Sequence, residues 1–248
     1  MKEDTIFLFD VDGTLTPSRE RATEEMKAFL NDLKTKVKIG FVGGSDLPKQ
    51  KEQLGDDCTS LFHYCFPENG LMFIKNNEVV STESYLNFVG EAEHGRMVRS
   101  VMKILSELPM NEVPKMRGNF IELRTSMVNI SPIGRSCTKE ERKEFKELDT
   151  ANRTREKIVE KLKVAFPSLA FSIGGEISID IFPQGWDKTY SLQHLEKEGI
   201  KNIYFFGDMT SEGGNDFEIF TDERVKGTTV TSPEDTMKQV KDVLLTLE

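Results

Sequence analysis

The sequence predicts an α/β protein, with parallel strands alternating with helices and an α+β module inserted between the two halves of the sheet. Three observations carry this. Short apolar runs alternate with helical patterns at the start of the chain, the same alternation returns near its end, and the segment between differs in texture. With 248 residues the chain is long enough for one large domain or two small ones with real cores.

The first apolar run, Ile6-Phe7-Leu8-Phe9, stops at Asp10 and is too short for a helix, so it reads as a buried strand. Met26, Phe29, Leu30 and Leu33 then recur at helical spacing, with Thr23 placed to cap them. Residues 37–42 read as a second strand, ending at Gly43-Gly44-Ser45-Asp46. After the middle segment, residues 186–199 carry a helical pattern and Ile203-Tyr204-Phe205-Phe206 is another buried strand, ending at Gly207-Asp208. Residues 233–247 close the chain as an amphipathic helix.

The middle holds a helix-like stretch at 85–108, a strand-like one at 119–124, a charged helix at 138–166, and short strands at 169–173 and 177–182. Helices grouped with antiparallel-looking strands predict an α+β insertion. The expected division is a core of residues 1–81 and 186–248, with residues 82–185 inserted.

Composition narrows the function. A net charge of −9 argues against nucleic acid as a partner, because binding its backbone needs a positive surface. It leaves phosphorylated small molecules open, since a few clustered arginines can hold a phosphate inside an acidic protein. No run of about 18 apolar residues is present, so no membrane span is expected. Residues 1–4 do not read as the start of a secretory signal. Cys58, Cys65 and Cys137 have no metal-site spacing and read as free thiols of a reducing, cytoplasmic compartment.

Three strands each end in a polar cluster: Asp10-Val11-Asp12-Gly13-Thr14, Gly43-Gly44-Ser45-Asp46 and Gly207-Asp208. In an open parallel sheet, ligands bind beyond the carboxyl ends of the strands, so these clusters are expected to converge. Asp10 and Asp12, two residues apart past a buried strand, repel each other unless a cation neutralises them. Magnesium takes a few carboxylate oxygens and keeps its remaining sites for water and phosphate. One carboxylate can then attack phosphorus, and the other can serve as general acid and base. Each piece also has an ordinary reading. Asp-x-Asp can cap a turn, Ser45 can belong to a glycine-rich turn, Lys188 can be a surface lysine, and residues 207–216 can form a plain loop.

The full string Asp10-Val11-Asp12-Gly13-Thr14-Leu15-Thr16, after four apolar residues, resembles the first motif of the haloacid-dehalogenase-like phosphotransferases. That resemblance implies a Rossmann-like parallel-sheet core with an inserted α+β cap domain. It makes Asp10 the nucleophile and Asp12 the general acid/base. Ser45 matches the second motif and Lys188 the third, while Asp208 completes the magnesium site with Asp10 and Asp12.

The inserted segment carries Arg117-Gly118-Asn119-Phe120-Ile121-Glu122-Leu123-Arg124 and Ser131-Pro132-Ile133-Gly134-Arg135. Guanidinium groups suit bidentate phosphate binding. Ser178 and Asp180 alternate onto one face of a strand, where they could bond sugar hydroxyls. With Pro67-Glu68-Asn69-Gly70, Gly185-Trp186-Asp187-Lys188 and Gly213-Gly214-Asn215-Asp216, these strings resemble the eukaryotic-type phosphomannomutases from about Ile6 to the end of the chain. The resemblance implies that Arg19, Arg117 and Arg135 bind the non-transferring phosphate or the sugar, with Arg124 ranked below them. It places Ser178 and Asp180 on the hydroxyls, a second cation near Phe220 and Asp222, and a homodimer through the cap. Glu176 stands where glutamine is expected, and Val225 where the second cation loop usually has threonine.

The activity implied is interconversion of mannose 6-phosphate and mannose 1-phosphate through an aspartyl-phosphate, with a hexose 1,6-bisphosphate as intermediate and activator. Its product would feed GDP-mannose synthesis and glycosylation. A sugar-phosphate phosphatase on the same fold uses the same core motifs, and a silent sugar-phosphate-binding protein would not need them intact.

Overall fold

The computed structural model describes residues 2–17 and 20–247. The chain starts with β1 (Lys2–Phe9), whose last four residues are fully buried. Such an unbroken apolar run is what a central parallel strand, covered on both faces, requires. Next comes α1 (Glu24–Leu33), where the Thr23 hydroxyl accepts from the Met26 amide at 3.1 Å and Met26, Leu30 and Leu33 face inward. It is followed by β2 (Val37–Val42) and α2 (Leu47–Leu54). Asp46 caps α2 through the Lys49 amide at 3.0 Å, and Pro48 sits in its first turn, where its missing N–H costs nothing. A single turn, α3 (Cys58–Leu61), leads to β3 (Tyr64–Phe66). The hairpin β4 (Met72–Lys75) and β5 (Glu78–Thr82) follows, its turn made by Asn76 and Asn77 at φ 49° and 68°.

The inserted segment opens with α4 (Tyr85–Val89) and α5 (Glu91–Ser106), split at Gly90, whose φ of 82° no continuous helix allows. The single helix expected over 85–108 is therefore two. The strand expected over 119–124 shortens to β6 (Ile121–Leu123), because Asn119 takes a φ of 51°, and it pairs with β7 (Val128–Ile130). The charged stretch 138–166 is also two helices, α6 (Lys139–Asn152) and α7 (Thr154–Ala165), broken at Arg153 with φ 55°. Thr138 and Glu141 form a capping box at the start of α6. The segment ends in β8 (Leu169–Gly174) and β9 (Ser178–Pro183). These four strands make an antiparallel sheet in the order β6-β7-β9-β8. On β9, Ile179 and Ile181 are buried, and Ser178 and Asp180 share the opposite, half-buried face.

The chain returns through a 3₁₀ turn at Lys188–Ser191 to α8 (Leu192–Lys197) and β10 (Asn202–Gly207). It then forms α9 (Phe217–Thr221), β11 (Val225–Thr229) and α10 (Pro233–Leu245). The large sheet runs β11-β10-β1-β2-β3-β4-β5, parallel from β11 to β3 and antiparallel across β4 and β5. Alternation along the central strands splits its core into two layers. Phe7, Phe9, Phe41 and Phe206 pack with Met26, Leu30 and Val240, whereas Ile6, Leu8, Val42 and Phe205 pack with Leu192 and Leu195.

The chain divides into two compact units, Met1–Thr82 with Trp186–Glu248, and Glu83–Gly185. The second has an apolar cluster of its own, built on Val113, Ile133, Phe145 and Ile177. The first is a Rossmann-like parallel-sheet core; the second is an α+β insertion.

Candidate active site

Asp10 is the first residue past β1. Its amide donates to the Phe206 carbonyl at 2.9 Å, so the β1–β10 ladder fixes it up to the point where the chain turns away. The turn is tight: Leu15 and Thr16 amides both return to the Val11 carbonyl, at 2.9 and 3.0 Å, and the Gly13 amide reaches the Thr16 carbonyl at 2.8 Å. Gly13 has φ +79°, and a β-carbon there would lie 2.7 Å from Cγ of Asp208, so only glycine lets the two strand ends meet.

Lys188 enters from the 3₁₀ turn and is 2% exposed. Its ammonium donates to Asp10 Oδ1 and, at 2.5 Å, to Asp216 Oδ1. Asp216 also accepts from the Met209 amide at 3.0 Å, which folds the loop after β10 back over the strand end. Carboxylate oxygens of Asp10, Asp208 and Asp216 all lie within 4.8 Å of one another. Burial pushes the Asp10 carboxyl up to about 7, with Lys188 opposing the rise and the Asp216 charge adding to it. Asp208 is raised as well, by burial and then by Asp216. Burial disfavours the Lys188 ammonium, but Asp10 and Asp216 outweigh it and hold its pKa above the usual lysine value. With all three aspartates ionised, three carboxylates and one ammonium leave two formal negative charges, which a divalent cation would neutralise. The all-oxygen donor set suits a hard cation such as magnesium.

The Asp12 carboxylate is not a member of this acidic group; its Oδ1 accepts from Gln53 Nε2 at 2.7 Å. Ser45 lies in the loop after β2, which the turn Pro67–Gly70 clasps: Glu68 N donates to Ser45 O and Asn69 N to Gly43 O, each at 2.9 Å. Phe220 ends in α9, and both oxygens of Asp222 are engaged by Arg224, at 2.7 and 2.8 Å. Hydrogen bonding from that guanidinium holds the Asp222 carboxyl below its ordinary range. Arg19 lies outside the described residues.

In the inserted unit, Arg135 Nη1 donates to Asn129 Oδ1 at 2.7 Å, and Asn129 Nδ2 donates to Asp180 Oδ1 at 2.6 Å. Glu122 joins this network, accepting from Arg124 at 2.7 Å and facing Arg135 at 3.3 Å. Arg124, Arg135 and Asp180 are thus brought together, with Asn129 between the last two. Arg117 pairs with Glu141 at 2.6 Å and is tied by its amide to the Ile133 carbonyl at 2.9 Å. The Ser178 carbonyl accepts from Arg155 Nη1 at 3.1 Å.

Three members of these clusters escaped the sequence reading as site residues. Asp216 was visible in the Gly-Gly-Asn-Asp string, but nothing in its spacing tied it to Lys188. Asn129 carried a signal, a buried-strand position holding an amide between Val128 and Ile130. Arg142 lies in the charged run of α6, yet its Nη2 reaches the Arg135 carbonyl at 3.2 Å and adds a further guanidinium beside that loop.

A parallel sheet whose strand ends gather a lysine and three aspartates, interrupted by an α+β insertion, defines a haloacid-dehalogenase-like phosphotransferase. The fold matches a solved sugar phosphatase of haloacid-dehalogenase subclass IIB with a TM-score of 0.61 at 15% identity, over 96% of this chain and 98% of that one. Within that superfamily the chain belongs to the eukaryotic phosphomannomutase family, whose model matches residues 26–246. It is 53% identical over 244 residues to the phosphomannomutase of Encephalitozoon cuniculi, covering 98% of this chain and 94% of the relative. It is 51% identical over 239 residues to that of Saccharomyces cerevisiae, covering 96% and 93%.

Proposed function

We propose that this enzyme interconverts mannose 6-phosphate and mannose 1-phosphate, with Asp10 as the phosphoryl carrier. The observation that carries the assignment is the buried contact of Asp10 with Lys188, in a chain of this family. A carboxylate so placed is a poor structural residue but a shielded nucleophile. An Asp10 oxygen bonds to phosphorus of a hexose 1,6-bisphosphate as the phosphorus–sugar oxygen bond breaks, and Asp12 gives the departing oxygen its proton. In the reverse transfer, the hydroxyl of a hexose monophosphate attacks the aspartyl-phosphate while Asp12 takes the hydroxyl proton. The bisphosphate so formed turns end for end, and its other phosphate returns to Asp10.

Lys188 and the Ser45 loop stabilise charge on the transferring group. Arg19, Arg117, Arg124 and Arg135 hold the phosphate that is not reacting, and Ser178 and Asp180 hold sugar hydroxyls. Asp10, Asp208 and Asp216 are the residues whose carboxylates would hold magnesium, which would supply positive charge against the transferring phosphoryl oxygens, while the Asp12 carboxylate, outside that group, is left to exchange protons. A second cation at Phe220 and Asp222 would have to share Asp222 with Arg224. The buried free thiols of Cys58, Cys65 and Cys137 support a cytoplasmic setting, and family resemblance supports a homodimer through the inserted unit. Among the described residues, no helix is long and apolar enough to cross a membrane. The product would supply GDP-mannose synthesis.

A phosphorus NMR time course with mannose 1-phosphate, magnesium and a trace of glucose 1,6-bisphosphate tests the proposal. Mannose 6-phosphate should accumulate without free phosphate. Release of free phosphate in its place would make the enzyme a phosphatase.

A further inference from the structure

Gln53 is 2% exposed, on the last turn of α2, and its side chain is a poor choice for that place on packing grounds alone. Its amide oxygen is buried and has no hydrogen-bond partner among the described residues, so the protein carries a desolvated acceptor that leucine or methionine would not bring. Its amide nitrogen donates to Asp12 Oδ1 at 2.7 Å. The orientation is forced by chemistry, because a carboxylate oxygen facing the amide oxygen would set two acceptors against each other.

The helix holding Gln53 is itself anchored to the site. Asp46, the neighbour of Ser45, caps its start, and the Gln53 carbonyl accepts from the Ala22 amide at 2.8 Å, just before α1. One turn earlier, Gln50 is equally buried and its Nε2 faces the Ser45 carbonyl at 3.5 Å. The inward face of α2 thus presents two buried amides to two of the loops that build the site. Among these contacts, the one from Gln53 ends on a side chain with a chemical task.

We infer that Gln53 is a positioning residue for Asp12: its amide pins one carboxylate oxygen and so sets the plane in which Asp12 exchanges protons with the sugar oxygen. The inference rests on the reading of Asp12 as general acid and base. It does not depend on whether the acceptor is a sugar or water, because Asp12 protonates the same leaving oxygen in a mutase and in a phosphatase. Asp12 itself stands at the start of a tight turn, between Val11 and Gly13, whose backbone groups bond within that turn, and Gln53 adds a fixed point for its side chain.

The test is Gln53→Leu, with Gln53→Met as a second, unbranched variant of similar length in case the branched side chain does not pack. Each is compared with wild type in magnesium, using mannose 1-phosphate with glucose 1,6-bisphosphate, and p-nitrophenyl phosphate in parallel. A sugar alkoxide needs a proton to leave, whereas an aryl phosphate departs as a stable phenolate. General acid–base catalysis contributes about 10²–10⁴-fold, so misplacing the acid should lower kcat on the sugar phosphate by roughly 10–100-fold. KM should stay within about threefold of wild type, and the first-turnover release of p-nitrophenolate, the one step that needs no proton exchange with Asp12, should be retained. Equal losses on both substrates, or a sugar-phosphate kcat within twofold of wild type, would overturn the inference. If wild type releases free phosphate, the mutase reading fails while the Gln53 comparison is still read on hydrolysis. If Asp12→Asn leaves sugar-phosphate turnover intact, the premise fails and the inference falls with it.

Discussion

Lys188 and Asp216 form a buried ion pair, Nζ to Oδ1 at 2.5 Å, in which the lysine is 2% exposed and the aspartate fully buried. The same ammonium touches Asp10, so one positive charge is shared between the candidate nucleophile and a carboxylate that arrives from a different loop. Two consequences follow from that sharing. Past the last backbone bond of the β1–β10 ladder, the strand end and the loop after β10 are tied together by a lysine, and one ammonium faces two carboxylates.

Lys188→Met removes the shared cation and leaves Asp10 and Asp216 facing each other in a dry site. Breaking a buried pair in this way typically costs about 3–5 kcal/mol, and loss of the charge next to the transferring phosphoryl group should lower turnover by at least about 10²-fold. A magnesium ion held by the three aspartates would replace part of the missing charge. Unfolding followed with and without magnesium should therefore show a larger magnesium-dependent gain in the variant than in wild type. Equal gains would mean that the ion and the lysine do not act on the same carboxylates.

Chelation should abolish turnover and lower the thermal midpoint, since an ion that binds only the folded state stabilises it by mass action. Because burial pushes Asp10 up to about 7, its carboxyl is partly protonated at neutral pH and must lose that proton when an ion binds. Calorimetric titration of magnesium at pH 7 should accordingly give enthalpies that change with the ionisation heat of the buffer. The dependence should vanish by about pH 8.5, where Asp10 is ionised beforehand. A buffer-independent enthalpy at pH 7 would show that Asp10 is already charged without the ion.

Gly134 takes φ +87°, and its Cα packs against the backbone of Gly118, where a β-carbon would sit 2.9 Å from Gly118 N. This contact brings the two arginine loops side by side. The Arg117 amide reaches Ile133 O at 2.9 Å, and the Arg135 amide reaches Asn119 O at 3.1 Å. Gly134→Ala should cost more than about 1 kcal/mol from the backbone conformation alone. It should also raise KM for mannose 1-phosphate about tenfold or more, by moving Arg117 and Arg135, while sparing the rate on p-nitrophenyl phosphate. A change in kcat with KM unmoved would place the loop's role elsewhere.

Two members of the candidate acidic group could be placed from the chain because each follows a continuous apolar strand. Ile6 to Phe9 announce Asp10, and Tyr204 to Phe206 announce Asp208. Lys188 needed the resemblance, since no local pattern distinguishes a buried lysine from a surface one. Asp216 and Gln53 stayed hidden for a different reason. Their partners are 28 and 41 residues away in sequence, and pairing at that range is fixed by topology and not by periodicity. The helix breaks at Gly90 and Arg153 show a similar limit. Apolar spacing continues through both, and only the positive φ values end the helices. The hairpin of β4 and β5 did carry a signal, Asn76-Asn77, which suits a two-residue turn with both φ values positive.

Asn129 is 2% exposed and joins Arg135 to Asp180 through both ends of its amide. An isosteric acid there would face Asp180 with a second carboxylate, and alanine would leave both neighbours short of a partner. Asn129→Ala should raise KM for mannose 1-phosphate about tenfold with a smaller effect on kcat, and cost about 1–3 kcal/mol of stability. Asn129→Asp should be the worse of the two in substrate binding, because like charges splay Asp180 away from Arg135. If Asn129→Asp binds the sugar phosphate as well as wild type, the link between Arg135 and Asp180 is not part of recognition.

His63 gives the fold a pH dependence whose sign follows from burial of the ring beside two lysines. Ile39, buried in the middle of β2, donates its amide to His63 Nδ1 at 3.1 Å, and the His63 amide returns to the Ile39 carbonyl at 2.9 Å. The imidazole thus extends the β2–β3 ladder by one step beyond the first backbone pair, Gly40 with Tyr64. Nδ1 can accept only while it carries no proton. Burial lowers the His63 pKa from its ordinary value of 6.5, and Lys34 and Lys38 lower it further. Above pH 6.5 the ring is neutral both folded and unfolded, and the bond contributes in full. As the pH falls below 6.5 the unfolded chain binds a proton that the folded one refuses, so stability is lost until the lowered folded pKa is passed. His63→Gln offers an acceptor that does not titrate. Urea unfolding at pH 8 and pH 5.5 should show wild type losing more stability than the variant between the two, with the gap closing again at pH 8. If both lose the same amount, the acid sensitivity lies in the carboxylates and the Ile39 amide does not depend on the protonation of His63.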